Sequence, residues 1–494
     1  MTDTALAAGS VEPVTTDLII GGEHRPSRSG ERIEVRNPAH PDELVGWAAG
    51  GDDSDATAAV DAAAAAFPEW AALSYAERGQ YLKRIVAELD QNLAERTRLF
   101  VRENGKVLGE ASTEMSRLGV RFEYTASLAD VLSRDEVHSG PPLETVVTRQ
   151  PMGVAALIVP WNWPLSILGA KLPQALMAGN TVVIKPSSSA PLATVQTIAL
   201  MARVLPPGVI NVVTGSPEHV ATTLLAHPAV RKVDVTGGVQ TGKDVMAAAA
   251  RSLKRVTLEL GGNDAGIVLH DADLSKETFA RLALGAFMTA GQVCMGLKRL
   301  YVHESIIDDV VDGLRETLDT HIVGDGLDPR STMGPVINAP QQQHVRELID
   351  EAKASGACVD ELGSPRDDEE FAHGYFVLPT LVSGCRPDLR VVTEEQFGPV
   401  LPVLPFSIEA EAVALANDSS FGLASSVWST DIERAVALAR RIEAGYSYIN
   451  AHGPMTQDNR APFGGVKDSG IGRQLGLDGV LEFTDAHAIT VRAH

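Results

Sequence analysis

Between residues 55 and 102 apolar positions return at helical spacing through Ala-rich sequence studded with Glu and Arg, as in Tyr81-Leu-Lys-Arg-Ile-Val-Ala-Glu-Leu-Asp. After Pro151 the pattern changes. Short runs rich in β-branched residues, at 154–159, 181–184, 209–213, 232–235 and 256–260, alternate with stretches of helical spacing up to Gly262. That alternation predicts right-handed βαβ units and a parallel, doubly wound sheet. Such sheets bind ligands beyond the carboxyl ends of their strands, so the loops starting at Pro160, Lys185, Thr214 and Thr236 are expected to line one crevice. A second α/β region begins near Asp264, with strand-like Ile267-Val-Leu and Arg299-Leu-Tyr-Val-His and a helix over 306–318. The longest apolar stretch, 154–172, is broken by Pro160, Asn162, Pro164, Ser166 and Lys171, and reads as strand, loop and buried helix instead of a membrane span. The loop from Ala451 to Phe463, rich in Gly, Pro and polar residues, is long enough to be functional.

Composition narrows the partners. With 494 residues, 44% hydrophobic and 21% charged, the chain has ordinary globular usage and predicts two or three domains. A net charge of -22 with no run of five or six Lys or Arg argues against nucleic acid and anionic membrane, so an anionic ligand must be held locally, by a helix N-terminus or a few placed cations. Three widely spaced cysteines, Cys294, Cys358 and Cys385, argue against a disulfide framework, and the lack of clustered His and Cys gives no indication of a metal. The first sixteen residues hold neither Lys nor Arg and no sustained apolar run, so no secretory signal is expected. The expectation is a soluble protein of the reduced cytoplasm.

Three features could carry chemistry. Cys294, in Gly291-Gln-Val-Cys-Met-Gly, follows the apolar helical run 279–290 at a place where a turn can present it. A thiol attacks a carbonyl only as the thiolate and so needs a helix N-terminus or a base. A lone buried cysteine is more often an inert small hydrophobe. Glu259, in Thr257-Leu-Glu-Leu-Gly-Gly-Asn, is a carboxylate at the end of an apolar strand, where burial should raise its pKa toward a general base's; pairing with an Arg is the structural alternative. Thr236-Gly-Gly-Val-Gln-Thr-Gly242 follows a strand and opens a helix, a context that lets backbone N–H groups meet a phosphate, although GxxxxG is not the usual dinucleotide fingerprint.

Taken together, Pro160-Trp-Asn-Trp-Pro, Lys185-Pro-Ser, Thr257-Leu-Glu-Leu-Gly-Gly, Gly291-Gln-Val-Cys, Glu394-Glu-Gln-Phe-Gly-Pro and Pro462-Phe-Gly-Gly-Val-Lys-Asp-Ser-Gly resemble the aldehyde dehydrogenase superfamily, and within it a little-characterised bacterial subgroup. The resemblance runs from about residue 18 to 490. It implies an α/β fold: a doubly wound cofactor domain (1–126 and 151–262), an α/β catalytic domain (263–476) and a small oligomerisation sheet (127–150 and 477–494) that makes a homodimer or a homotetramer. It also implies oxidation of an aldehyde to the acid with NAD or NADP. Cys294 resembles the nucleophile that forms a thiohemiacetal and then a thioester, and Asn162 the side-chain donor that joins the Cys294 N–H in an oxyanion hole. Glu259 resembles the base that activates water to hydrolyse the thioester. Because relatives that acylate coenzyme A commonly lack this Glu, hydrolysis is favoured. For the cofactor, Glu395 and Phe397 resemble the nicotinamide-ribose contacts, Trp161 and Lys185 the adenosine-side contacts, and Gly237 and Gly238 the pyrophosphate turn, with Ser188, Gly215, Thr236, Gly242 and Leu260 beside them.

Departures from the family pattern bear on specificity. Ser188 stands where many NAD-specific relatives have a Glu that would repel a 2′-phosphate; with the Lys185 cation it tolerates or attracts one, or simply binds a ribose hydroxyl, so the choice of nicotinamide stays open. Gln474 stands where relatives often have a Glu that passes protons toward the base; Gln cannot ionise, so the proton of Glu259 needs another route. The tunnel positions map to Trp163, Ile167, Ala170, Met288, Val293 and Met295, with His452, Met455 and Phe463 on the loop above; a solvated His452 and a packing Met455 are the alternatives to substrate contact. Ala170 replaces a bulky aromatic, which suggests a wider pocket for a medium-sized apolar or aromatic aldehyde. Arg460 is the loop cation that could reach a carboxylated substrate. The alternatives are a semialdehyde dehydrogenase using NADP, a catalytically silent cofactor-binding member, and a thioesterase-like hydrolase with the same Cys and Glu. The joint presence of Cys294, Glu259 and Asn162 counts against a silent member.

Overall fold

The structure, a computed structural model, describes residues 12–492; what was expected of residues 1–11 and 493–494 lies outside the described residues. Two large twisted sheets organise the chain. The first has eight strands, five of them parallel in the spatial order Arg255–Glu259, Val230–Thr236, Val154–Ile158, Thr181–Lys185, Ile210–Val212. These are the five expected runs, their ends displaced by one or two residues. From Val154–Ile158 the chain winds outward through the next two strands, then returns to the other side for Val230–Thr236. A crevice opens where the winding reverses, between the loops after Val154–Ile158 and Val230–Thr236. Antiparallel strands close the edges: Leu18–Ile20 and Glu23–Arg25 on one side, and Gly470–Ile471, which comes from beyond the expected boundary at 262, on the other.

The second sheet has seven strands, with six parallel in the order Thr380–Ser383, Val400–Phe406, Leu297–His303, Asp264–Val268, Ala424–Trp428, Tyr446–Ile449. Strands buried on both faces explain why their sequences read as near-continuous apolar runs. The helical region before them is three helices. Asp53–Ala71 starts at an Asp52 capping box and Tyr75–Glu88 at a Ser74 capping box, and Leu93–Asn104 follows. A third, small sheet pairs Leu143–Pro151 with Glu136–Gly140 and Thr484–Arg492. It stands out from the body, with Val137, Leu143, Ile489 and Val491 between 48% and 60% exposed. Among the described residues no helix is long and apolar enough to cross a membrane, and no group of three or more His, Cys, Asp or Glu is placed to hold a metal.

One buried ion pair ties the helical layer to the crevice. Lys106 and Glu114 have fully buried side chains and are joined by a short charged hydrogen bond. The Lys106 ammonium also lies 4.0 Å from the Trp163 ring centroid. The other Glu114 oxygen accepts the Leu165 and Ser166 N–H groups at 2.9 and 3.0 Å, at the open end of helix Pro164–Gly169. Removing one partner strands a buried charge. Glu114→Ala is therefore expected to cost about 3–5 kcal/mol, read as a lowered thermal midpoint; a loss below about 1 kcal/mol would show that the pair holds nothing together.

Candidate active site

Strand Arg255–Glu259 ends the parallel part of the first sheet, and Asp264–Val268 begins the second. Only Leu260, Gly261, Gly262 and Asn263 connect them, and each is fitted to a neighbour. A Cβ on Gly261 would stand 2.5 Å from the Glu395 carboxylate, and one on Gly262 would stand 2.4 Å from the Cys294 carbonyl oxygen. Position 262, against a fixed backbone carbonyl, therefore requires glycine, and a side chain at Gly261 would displace the Glu395 carboxylate. The Gly262 N–H donates to Glu395 Oε1 at 2.9 Å, and Asn263 Nδ2 donates to the Val392 carbonyl at 2.9 Å. Glu259 is thus set at the end of one sheet, with Cys294 immediately beyond the link.

The turn that carries Cys294 is strained. Helix Lys276–Phe287, capped by Ser275, gives way to Thr289, Ala290 and Gly291 at φ of 53°, 51° and 70°. Three successive left-handed residues, one of them β-branched, persist only where the surroundings hold them. Here Glu110 accepts the Thr289 N–H at 2.7 Å, and the Lys298 ammonium donates to the Gly291 carbonyl. Gln292 completes the hold by donating to the Thr289 carbonyl at 3.1 Å and accepting the Ile337 N–H at 2.9 Å. Asn162 Nδ2 donates to the Gln292 carbonyl at 2.9 Å, which brings the amide to this turn with a second hydrogen to offer.

Two cavities meet at Asn162, Thr236 and Cys294. The larger, about 340 Å³, lies at the switch point and is lined by Trp161, Gly237, Gly238, Leu260, Glu395 and Phe397, together with Pro160, Gly261, Gln341 and His344. Its chemistry fits a dinucleotide. Helix Val239–Ala250 opens on it with no side-chain cap, and a Cβ on Gly238 would find nothing within 4 Å. The buried Thr236 hydroxyl has no partner. Trp161 and Phe397 meet edge to face, with ring centroids 5.6 Å apart. Helix N–H groups and an open glycine suit a pyrophosphate, and Glu395 suits ribose hydroxyls. The smaller cavity, about 60 Å³, is lined by Trp163, Ile167, Ala170, Val293, Met295 and Phe463, and by Glu259, Arg121, Ser166, Pro454, Gln457, Gln474 and Leu475.

Burial sets the electrostatics. It pushes the Cys294 thiol up to about 12, helped by the negative charges of Glu395, Glu259 and Asp264 and opposed by a backbone hydrogen bond from Met295. Burial also raises Glu259 well above the usual carboxylate range, against the attraction of Lys171. Both Glu259 oxygens are buried without a hydrogen-bond partner, and a Cβ on Gly464 would stand 2.8 Å from one of them. A carboxyl left bare in a cavity wall beside a thiol is poised to handle protons, since structural carboxylates are almost always satisfied. Glu395 is pushed up to about 7 by burial, with Lys298 pulling the other way.

Several expected residues sit elsewhere. Gly242 lies one turn into its helix, where a Cβ would meet Leu260 at 2.5 Å; it lets helix and link pack and does not face the crevice. Lys185 is buried at its strand end, pushed down to about 8 by burial. Ser188 donates its hydroxyl to the Gly215 carbonyl at 3.2 Å, and Gly215 packs against Gly51, where a Cβ would stand 2.4 Å from the carbonyl. None of these four lines the larger cavity. His452 is turned away from substrate: fully buried, it bonds Ser426 at 2.9 Å and lies 3.7 Å from Asp264. Met288 is packed in the core behind the wall, Met455 lies on Arg117, and Arg460 is exposed and held by Asp458. Ala170 lines the smaller cavity as expected, together with Arg121, Trp163, Met295, Phe463 and Leu475. Arg121, Gln457, Gln341 and His344 escaped sequence reading. Arg121 alone left a signal, as a cation at helical spacing within the apolar stripe of Met115, Leu118 and Phe122.

Comparison with known proteins agrees with this arrangement. A model of the aldehyde dehydrogenase family matches residues 24–489. The betaine aldehyde dehydrogenase of Bacillus subtilis is 38% identical over 473 residues, 95% of this chain and 96% of the relative. A peroxisomal aminoaldehyde dehydrogenase of Pisum sativum is 36% identical over 96% of this chain and 95% of its own length. Among solved structures, the betaine aldehyde dehydrogenase of Staphylococcus aureus in complex with NAD+ superposes with a TM-score of 0.91 at 34% identity, covering 96% of this chain and 94% of that one. An NADP-dependent enzyme of E. coli superposes with a TM-score of 0.92 at 34% identity, covering 97% of this chain and 98% of the other. The chain therefore belongs to the aldehyde dehydrogenase family and is an NAD(P)-dependent enzyme of that class.

Proposed function

We propose that this protein oxidises a small polar aldehyde to its carboxylic acid through a thioester on Cys294 that Glu259 hydrolyses. The observation that carries the reading is the bare, buried Glu259 carboxyl in the wall of the cavity that ends at Cys294. As the Cys294 sulfur bonds the aldehyde carbon, its proton passes to Glu259 and the carbonyl oxygen takes the electron pair. The Asn162 amide and the Cys294 N–H hold that oxyanion; removing one such donor typically costs about 3 kcal/mol in the transition state. NAD(P), when bound, supplies the acceptor for the hydride that leaves the former aldehyde carbon. After releasing that proton, the Glu259 carboxylate takes one from water, the water oxygen bonds the thioester carbon, and the C–S bond breaks to return Cys294 as the thiolate. Gly237 and Gly238 would hold the pyrophosphate, Glu395 the ribose, and Phe397 and Trp161 the flanks of the ring.

The substrate follows from the smaller cavity. Its wall offers Arg121, Ser166 and Gln457 as polar groups and Glu259 as its one acid. The relatives are named for betaine aldehyde and aminoaldehydes, which supports a polar substrate over an apolar or aromatic one. An aldehyde carrying a carboxylate is a second reading, favoured by Arg121. That buried cation makes three hydrogen bonds, to Ser166, Gln457 and Asn459, and no ion pair among the described residues. The cytoplasm is the proposed location. The small third sheet, with its exposed valines, leucine and isoleucine, is the proposed subunit contact of a homodimer or homotetramer.

Three measurements test this reading. Reduced-nicotinamide absorbance, followed with aminoaldehydes, carboxylated and plain aliphatic aldehydes, each with NAD and NADP, should rise fastest with a polar aldehyde, and Cys294→Ala should abolish it; residual oxidation by that variant would sink the mechanism. Because the basic form of Glu259 is the active one and its pKa is raised, turnover should climb with pH from 6 into the alkaline range. Glu259→Gln should remove that limb and slow thioester hydrolysis by about 100-fold or more. Light scattering should give the mass of a dimer or tetramer for the native chain, and of smaller species once Ile489 and Val491 are both replaced by Lys; a monomeric native chain would dismiss the arm as a contact.

A further inference from the structure

Asp234 is out of place for a parallel strand. It sits in the interior of Val230–Thr236 with its side chain fully buried, between Val233 and Val235 in a sheet whose strands are mostly apolar. It shares a face with Lys232 and Thr236, and its partner across the ladder is Thr257, two residues before Glu259 on the same face. Lys171, itself fully buried, and Gln474 both donate to Asp234 Oδ1, the latter at 2.9 Å, while Oδ2 has no partner. Two carboxyls with three bare oxygens between them thus lie on one face of the sheet beside one ammonium. Next along the face, Lys232 Nζ donates to the Thr257 hydroxyl at 2.6 Å and to Glu482 at 3.4 Å. The Glu482 side chain is 34% exposed, on a cleft of about 650 Å³ on the side of the sheet edge away from Cys294.

We propose that the proton Glu259 takes from the hydrolytic water leaves along this face of the sheet, with Asp234 as the acceptor that Lys171 and Gln474 hold in position and Lys232, Thr257 and Glu482 as the way out. The carboxyl that relatives often carry at position 474 has a counterpart here at 234, to which Lys171 and the Gln474 amide both donate. The step balances: one proton moves from the Glu259 carboxyl to the Asp234 carboxylate, each of which keeps a bare oxygen, and one is released to solvent at Glu482. Glu259 returns as the anion that begins the next turnover. The charged groups acting on Glu259 are Lys171, Asp234 and Arg473, with Cys294 across the cavity; those acting on Lys232 are Asp234, Glu482 and Lys171.

The proposal rests on the reading of Glu259 as the deacylation base, and a single probe separates the two. With 4-nitrophenyl acetate, the nitrophenolate burst reports acylation of Cys294 and the steady state reports hydrolysis of the acyl-enzyme. In Asp234→Asn the burst should stay within about twofold while the steady state falls by about tenfold or more. Its acid limb should also move to lower pH by about one unit, because Lys171 then acts on Glu259 unopposed. Adding Gln474→Glu to that variant returns a carboxyl beside Lys171 and should restore both rate and limb, and Glu482→Gln, on the surface, should slow the steady state alone. An Asp234→Asn variant that keeps the native circular dichroism yet loses burst and steady state together, with an unmoved limb, shows a purely structural Asp234 and overturns the route. So does a steady state as fast as the native chain's. If Glu259→Gln itself hydrolyses its acyl-enzyme normally, the reading of Glu259 fails instead.

Discussion

The reactive geometry hangs on the four residues that carry the chain from the first sheet to the second. Leu260 to Asn263 are too few to bend independently of the strands they join, so Glu259 and the Cys294 turn are fixed relative to each other by two stiff sheets. The link is clamped from the outside as well. The Ser469 carbonyl accepts the Leu260 N–H at 2.9 Å, and the Ser469 hydroxyl donates to the Gly261 carbonyl at 2.7 Å. This explains why the Pro462-to-Gly470 segment has the sequence it has: Gly464 leaves room for the Glu259 carboxyl, Ser469 grips the link, and Gly470 lies where a Cβ would stand 2.1 Å from the Leu258 carbonyl. Two segments more than 200 residues apart are thus shaped to one another, and a side chain at Gly262 would displace the Cys294 turn itself.

Burial then tunes what this geometry brings together. The chain's large negative charge is carried outward, while Lys106, Lys171, Lys232 and Lys298 are drawn inside around the site. A thiol pushed up to about 12 is a weak acid, and an ordinary carboxylate would be a poor base for it. Raising Glu259 as well narrows the gap between donor and acceptor, which is the condition for efficient general-base transfer. The same desolvation that silences the free thiol strengthens the hydrogen bonds of the Asn162 amide to an oxyanion, because there is little water to compete. Reactivity is thereby reserved for a bound aldehyde.

The parallel strands were legible in the sequence because strands buried on both faces must be continuous apolar runs, and Cys294, Glu259 and Asn162 stand in motifs whose glycines and prolines have local reasons. Legibility ended where a side chain's meaning depends on a distant segment. Gly242 looked like part of a phosphate turn, yet its neighbour is Leu260 from another strand. His452 looked like a loop residue free to touch substrate, yet the end of the second sheet offers it Ser426 and Asp264. Asp234 gave a visible sign, a carboxylate inside an apolar strand, but its partners Lys171 and Gln474 come from segments 63 and 240 positions away. Spacing along one element cannot reveal such a triad.

Three kinds of traffic converge on Cys294, and the fold keeps them on separate paths. The wide crevice at the switch point suits a large, polar cofactor approaching one side of the sulfur. The narrow cavity behind Asn162 suits a small aldehyde on the other side, and its small volume leaves little room for water beside it. A base whose oxygens are buried between the two cavities has little contact with solvent through which to lose its proton, and the polar face of the sheet beside it offers another way. Polar residues threaded through the face of an apolar parallel sheet are costly to bury, and a path for protons is a physical reason for the fold to keep them there.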